Sequence, residues 1–152
     1  MNDQILDSPI NQTGQLNYAG FWIRVAAVLI DSLIMCVVIG LVVGLTFALA
    51  GSAENAVGMI IVVYLLAFVG GIGYFVVMES SPKQATFGKQ AMGIKVGKAN
   101  GERITTANAL GRTLGRWLSS AIFYIGYIMV AFDAKNQGLH DKLANTYVFY
   151  AK

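Results

Sequence analysis

Charge is what this 152-residue chain has least of: Asp, Glu, Lys and Arg together make 12% of it, while hydrophobic residues make 56%. Soluble domains carry about 25% charged residues, so an ordinary water-soluble domain is excluded and the chain is expected in a membrane. Cysteine occurs once, at Cys36, which excludes an intrachain disulfide and leaves too few thiolates for a metal cluster. Its place inside an apolar run fits a small packing residue. Histidine also occurs once, at His140 beside Asp141, without the further ligands or nucleophile that metal or triad chemistry needs. A polar interface contact is the reading it supports. The N-terminal residues lack a secretory signal's features: Asp3 and Asp7 stand where positive charge would, and no small-residue cleavage site follows a short apolar core. The first helix is expected to stay in the mature protein. Thr86-Phe-Gly-Lys89 looks like the end of a phosphate-binding loop, but Lys83 stands where Gly is required and Gln90 replaces the final Ser or Thr. No nucleotide site, cofactor or metal is expected. Nor are a nucleophile, a base and an orienting group recognisable together, which argues against an enzyme.

What the chain does have is long apolar runs. Val25 to Ala50 and Ala56 to Met78 each pass the length of about 20 residues that a membrane-spanning helix needs. Only Gly51-Ser-Ala-Glu-Asn55 separates them, so helices over about 21–50 and 56–78 form an antiparallel transmembrane hairpin. A third run, Trp117 to Phe132, is uncharged but short. It either crosses once or re-enters with a bend at Tyr124-Ile-Gly126, and the re-entrant form is favoured. After Met78 the chain turns basic: Lys83, Lys89, Lys95, Lys98, Arg103, Arg112 and Arg116 occur with Glu102 as the only acid among them. The positive-inside bias assigns segment 79–116 and the N-terminal tail, 1–17, to the cytoplasm. The net charge of +3 belongs to residues that flank membrane segments, so anionic lipid rather than nucleic acid is the expected partner.

Within the basic segment, Met92-Gly-Ile-Lys-Val-Gly97 alternates in polarity, Lys98-Ala-Asn-Gly101 reads as a turn, and Glu102-Arg-Ile-Thr105 as a return strand. That predicts a small cytoplasmic β-hairpin, which the β-prone tail Thr146-Tyr-Val-Phe-Tyr150 is able to join. Residues Thr106 to Leu118 space their apolar side chains as an amphipathic helix at or entering the inner interface, with Arg112 and Arg116 on another face. Small-residue pairs at Gly40-xxx-Gly44 and Ala67-xxx-Gly71 fall at matched depth and predict close packing of the two long helices.

Asp31 is the only charged side chain between Val25 and Ala50. A carboxylate at the bilayer centre costs about 2.5 to 3.5 kcal/mol on insertion scales, so Asp31 is a functional-site candidate. Arg24 lies seven residues earlier, near two helical turns, on nearly the same helix face. Direct pairing of the two is one expectation. By depth, Tyr74 is the nearest hydroxyl, and Arg112 or Arg116 are the other possible ionic partners. A purely structural ion pair is as compatible with these residues as a working site.

The motifs Tyr18-Ala-Gly-Phe-Trp-Ile-Arg24, Asp31 within the first helix, Gln84-Ala-Thr-Phe-Gly-Lys89, Gly93-Ile-Lys-Val96 and Gln137-Gly-Leu-His-Asp-Lys-Leu-Ala144 together resemble the RDD family of prokaryotic membrane proteins. The resemblance implies that Arg24 and Asp31 are the family's arginine and first aspartate, with Asp141 the choice for the second and Asp133 competing. Asn145 departs from the glycine usual there. The family's function is largely undefined, with transport suggested. The expected protein is therefore an all-α integral membrane protein of the prokaryotic inner membrane. It comprises the transmembrane hairpin, the basic segment, the hydrophobic segment 117–132 and a C-terminal tail, 133–152, within an RDD-type domain over 18–152. The expected role is cation or proton movement using Asp31, with Arg24 and Asp141. Two helices are too few to enclose a path, so a homo-oligomer or a membrane protein partner is expected as well. The alternative is a non-transporting accessory or scaffold protein that docks a partner or anionic lipid.

Overall fold

The computed structural model describes residues 17–121 and 125–151. Two helices dominate it, α1 (Phe21–Leu49) and α2 (Ala53–Ser80), both long and apolar enough to cross a membrane. At 29 residues α1 extends about 44 Å, more than the roughly 30 Å of a bilayer's hydrocarbon core. The connection is short because Gly51 adopts a positive φ of 70° and Ser52 caps α2, its hydroxyl accepting from Asn55 N at 3.3 Å.

Most of the other described elements gather toward one end of this hairpin. A short helix α3 (Phe87–Ala91) leads into β1 (Ile94–Gly97); then come α4 (Thr106–Ala121), α5 (Ile125–Phe132), α6 (Leu139–Leu143) and β2 (Tyr147–Tyr150). The two strands pair antiparallel, Ile94 opposite Tyr150 and Gly97 opposite Tyr147. Tyr18 bridges Phe149, and Ala19 N donates to Val148 O at 2.9 Å, so the start of α1 is sewn to the C-terminal strand. A small core of Ala19, Ala27, Val76, Ile94, Val96, Ile104, Ala109 and Val148 locks the start of α1 and the end of α2 to this body. Segments before α4 and after α5 thus lie at the same end. Of the bend expected in the third apolar run, Tyr124 lies outside the described residues, while Ile125 and Gly126 are already helical.

Two local expectations are corrected. The turn at Lys98 to Gly101 forms, with Gly101 N on Lys98 O at 2.9 Å, but Glu102 to Thr105 is not a strand. The physical reason is Gln84: its carbonyl accepts from Val96 N at 2.8 Å and its side chain donates to Val96 O at 2.9 Å, capping the edge of β1 that β2 leaves open. The sheet is therefore β1 with the distant β2. Second, Gly40 does not pack closely on α2. A Cβ added there would meet nothing within 4 Å, and the same holds for Gly44 and Gly71. The helices diverge around an open groove of about 240 Å³, to which Ala67 and Gly71 contribute.

Candidate functional site

Asp31 lies ten residues into α1, where the helix leaves the body, and is only 4% exposed. Three neutral donors hold its carboxylate. Tyr74 Oη donates to Oδ1 at 2.9 Å, Gly88 N to the same oxygen at 2.8 Å, and Thr86 Oγ1 to Oδ2 at 2.6 Å. Both hydroxyls accept in turn, Tyr74 from Phe87 N at 2.9 Å and Thr86 from Lys89 N at 3.4 Å. The first turn of α3 is thus pinned against α1. Only glycine permits it at position 88: a Cβ there would stand 2.0 Å from Ala27 O and 2.9 Å from Asp31 Cγ. Among the described residues no cation lies within ion-pair distance of Asp31.

A second, ionic assembly surrounds two fully buried carboxylates, Glu79 and Asp141. Glu79 sits in the last turn of α2, where the helix dipole disfavours an acid. It is compensated threefold: by Lys89 Nζ at 2.5 Å, by Arg116, and by Arg112 Nε at 3.4 Å. The guanidinium of Arg116 also lies over the Phe75 ring, 4.7 Å from its centroid. Asp141, near the start of α6, takes Arg24 Nη1 at 2.6 Å, Arg112 Nη2 at 2.9 Å and Gly138 N at 3.2 Å. Arg112, 2% exposed, therefore joins the two acids into one network.

Electrostatics follow from this crowding. Burial pushes the Asp141 carboxyl up, but Arg112 and Arg24 outweigh it and hold the group well below the usual carboxylate range. Burial lowers Lys89, and although Glu79 opposes this, Arg112 and Arg116 help bring its ammonium down to about 7. His140 is lowered by burial to about 3, since Asp141 restores less than burial and the neighbouring cations remove. Two carboxylates face four cationic side chains, so the network holds excess positive charge while Asp31, nearby, has none opposite it.

Of the residues singled out in the sequence, Arg24 and Asp31 do not pair: Arg24 reaches across to Asp141, 117 positions away. Asp31 takes Tyr74, the hydroxyl at its level, instead of Arg112 or Arg116. Asp133 stands apart from the network, bonded to Lys142 at 2.5 Å, which leaves Asp141 as the aspartate joined to Arg24. His140 is buried beside Asp141, its Nε2 at 3.5 Å from Oδ1. Glu79 escaped sequence reasoning, and Thr86, Gly88 and Lys89 entered it only as members of a motif with no partner assigned. One signal pointed to Glu79, the sole acid between Glu54 and Glu102, placed where the second apolar run ends. Among the described residues no three His, Cys, Asp or Glu side chains group as metal ligands.

Comparison with known proteins agrees with this arrangement of motifs. Residues 18–145 match the RDD family. The uncharacterized protein YxaI of Bacillus subtilis (strain 168) is 37% identical over 147 residues, covering 87% of this chain and 97% of that protein. The uncharacterized membrane protein YteJ of the same organism is 30% identical over 138 residues, covering 89% of this chain and 82% of its own. The uncharacterized protein YckC, also from that organism, is 30% identical over 138 residues, covering 88% and 85%. No solved structure matches the chain. With the match extending from the motif before α1 to the end of α6, the chain belongs to the RDD family of membrane proteins.

Proposed function

We propose that this protein is a transport-related multi-pass protein of the prokaryotic cell membrane, moving protons or small cations, with Asp31 as the exchanging carboxylate. One observation carries the reading: Asp31 is buried within a membrane helix, yet its partners are all neutral. A buried carboxylate without a counter-ion is costly even when hydrogen-bonded, and in membranes such groups mark ion and proton pathways. A proton or cation arriving at Asp31 displaces no ion pair. Glu79 and Asp141 differ, because each is held ionised by at least two cations. Their network fixes the ends of α1 and α2 around the site.

The orientation that fits has the N-terminus and the body in or facing the cytoplasm, because the segment after α2 carries Lys83, Lys95, Lys98 and Arg103 against Glu102. Two spanning helices enclose no path, so the working unit is a homo-oligomer or includes a membrane partner. The test is flux in liposomes with purified protein. Wild type should dissipate an imposed proton or cation gradient faster than empty liposomes, and Asp31→Asn should return the rate to background. Equal rates for wild type and empty liposomes under both gradients would reject transport.

A second reading, a non-enzymatic accessory protein docking anionic lipid or a partner, draws on Lys83, Arg103 and Lys135, which stay exposed outside the buried network. Under it, vesicle binding rises with anionic lipid content and no flux is seen.

A further inference from the structure

We propose that the body formed by α3 to α6 is sunk into the membrane leaflet at its end of the hairpin, its apolar faces covered by lipid acyl chains. The inference does not rest on transport. It starts from α4, which is inside out. Arg112, Thr113 and Ser119 are buried, whereas Leu110, Leu114 and Leu118 are 44%, 51% and 52% exposed. A helix lying on a water-facing body turns its leucines inward and its arginines outward. Here the arginines are spent on Glu79 and Asp141, and the leucines face out.

The same polarity recurs around the body. Phe87 on α3 is 53% exposed beside Tyr74 of α2, their rings 6.1 Å apart. Phe132, at the end of α5, is 86% exposed and flanks a groove with Trp22. Leu143 on α6 is 60% exposed. The apolar surface of α2 itself runs down to this end, where Val77 in its last turns is 64% exposed. Depth agrees: the Trp117 ring lies 4.7 Å from Phe68, which is twelve residues, about 18 Å, before the end of α2. Helix α4 therefore climbs beside α2 well into the span. Exposed charge lies on the connections, at Lys83, Glu102, Arg103 and Lys135, and on α6 only at Lys142, which pairs with Asp133. Scattered surface leucines are ordinary, but a contiguous apolar belt joined to membrane helices is a lipid contact.

Spin labels at single cysteines, placed in a Cys36→Ser background and reconstituted in dilute liposomes, test this through collisions with oxygen, which concentrates in lipid, and with a water-soluble nickel complex. The expected oxygen-to-nickel ratio at Leu110→Cys, Leu114→Cys and Leu143→Cys matches that at Val38→Cys in α1 and exceeds that at Arg103→Cys several-fold. Dominant nickel collisions at the leucine sites would put the body in water and overturn the proposal. Low collision with both reagents would put protein, such as a second copy, over these faces and overturn it equally. Should labelled variants fail to fold, Trp22→Phe leaves Trp117 as the sole tryptophan. Lipids brominated along the chain should then quench Trp117 emission more strongly than aqueous iodide does, and the reverse order would again refute embedding.

Discussion

Arg24 and Asp141 should show a large coupling energy, and Arg24 and Asp31 almost none. The first pair meets at 2.6 Å with side chains 11% and 0% exposed, so neither charge is well screened by solvent. Removing one partner of such a pair strands the other and costs about 3 to 5 kcal/mol. The costs should be unequal. Arg24→Gln leaves Asp141 with Arg112 and belongs near the lower end, whereas Asp141→Asn strands Arg24 and leaves Arg112 only Glu79, and belongs near the upper. The double variant should lose less than the sum of the singles by about 1 to 3 kcal/mol, the range for residues sharing one network. Urea or thermal unfolding of the purified protein in one detergent supplies all four corners of each cycle. A coupling within about 0.5 kcal/mol of zero for Arg24 with Asp141, or a larger one for Arg24 with Asp31, would refute the assignment of partners.

Other outcomes follow from the same geometry. Gly88→Ala should destabilise by at least about 1 to 3 kcal/mol, the range for overpacking, because its methyl would collide with Ala27 O and the Asp31 carboxylate; a thermal midpoint equal to wild type contradicts this. Gly40→Leu, by contrast, should shift stability by less than about 0.5 kcal/mol, since nothing lies within 4 Å of a Cβ added at this exposed position, and a marked loss would mean that α1 and α2 close on each other. Glu79→Gln should cost about 3 to 5 kcal/mol by leaving Lys89 and Arg116 without their acid and Arg112 with Asp141 alone, and adding Arg116→Gln should recover part of it; a further loss in the double variant argues against the network. Because His140 is lowered from 6.5 to about 3, the unfolded chain binds a proton in that window that the folded chain does not. Stability should then fall as pH drops below about 6.5, by up to about 1.4 kcal/mol per pH unit, and His140→Gln should flatten that slope between pH 6.5 and 5.

The long helices were legible because an uninterrupted apolar run is a one-dimensional signal, and Tyr74 was legible because depth can be counted outward from the connection between α1 and α2. The partners of the charges were not. Arg24 and Asp141 are 117 positions apart, and Arg116 and Glu79 are 37 apart, so no spacing rule relates them. Arg24 and Asp31 share a helix face, but seven residues put them about 10 Å apart along the axis, and the body supplies nearer partners to each. The local hairpin failed for a similar reason: turn chemistry at Lys98 to Gly101 is local, whereas the capping of β1 by Gln84 depends on where the chain leaves α2. The exposed leucines of α4 showed their periodicity in sequence, but which face turned inward depended on the two buried acids.

The claim on which the functional account turns is that Asp31 takes up and releases a proton or cation without breaking an ion pair. Infrared difference spectra between acidic and alkaline buffer read the protonated carboxyl directly, in the native protein reconstituted in lipid. Wild type should show a protonated-carboxyl band at acidic pH that is absent from Asp31→Asn and displaced in frequency by Tyr74→Phe, which removes one of its three donors. An identical carboxyl spectrum in wild type and Asp31→Asn across the pH range, together with unchanged flux, would make Asp31 a fixed anchor for α3 and contradict the account.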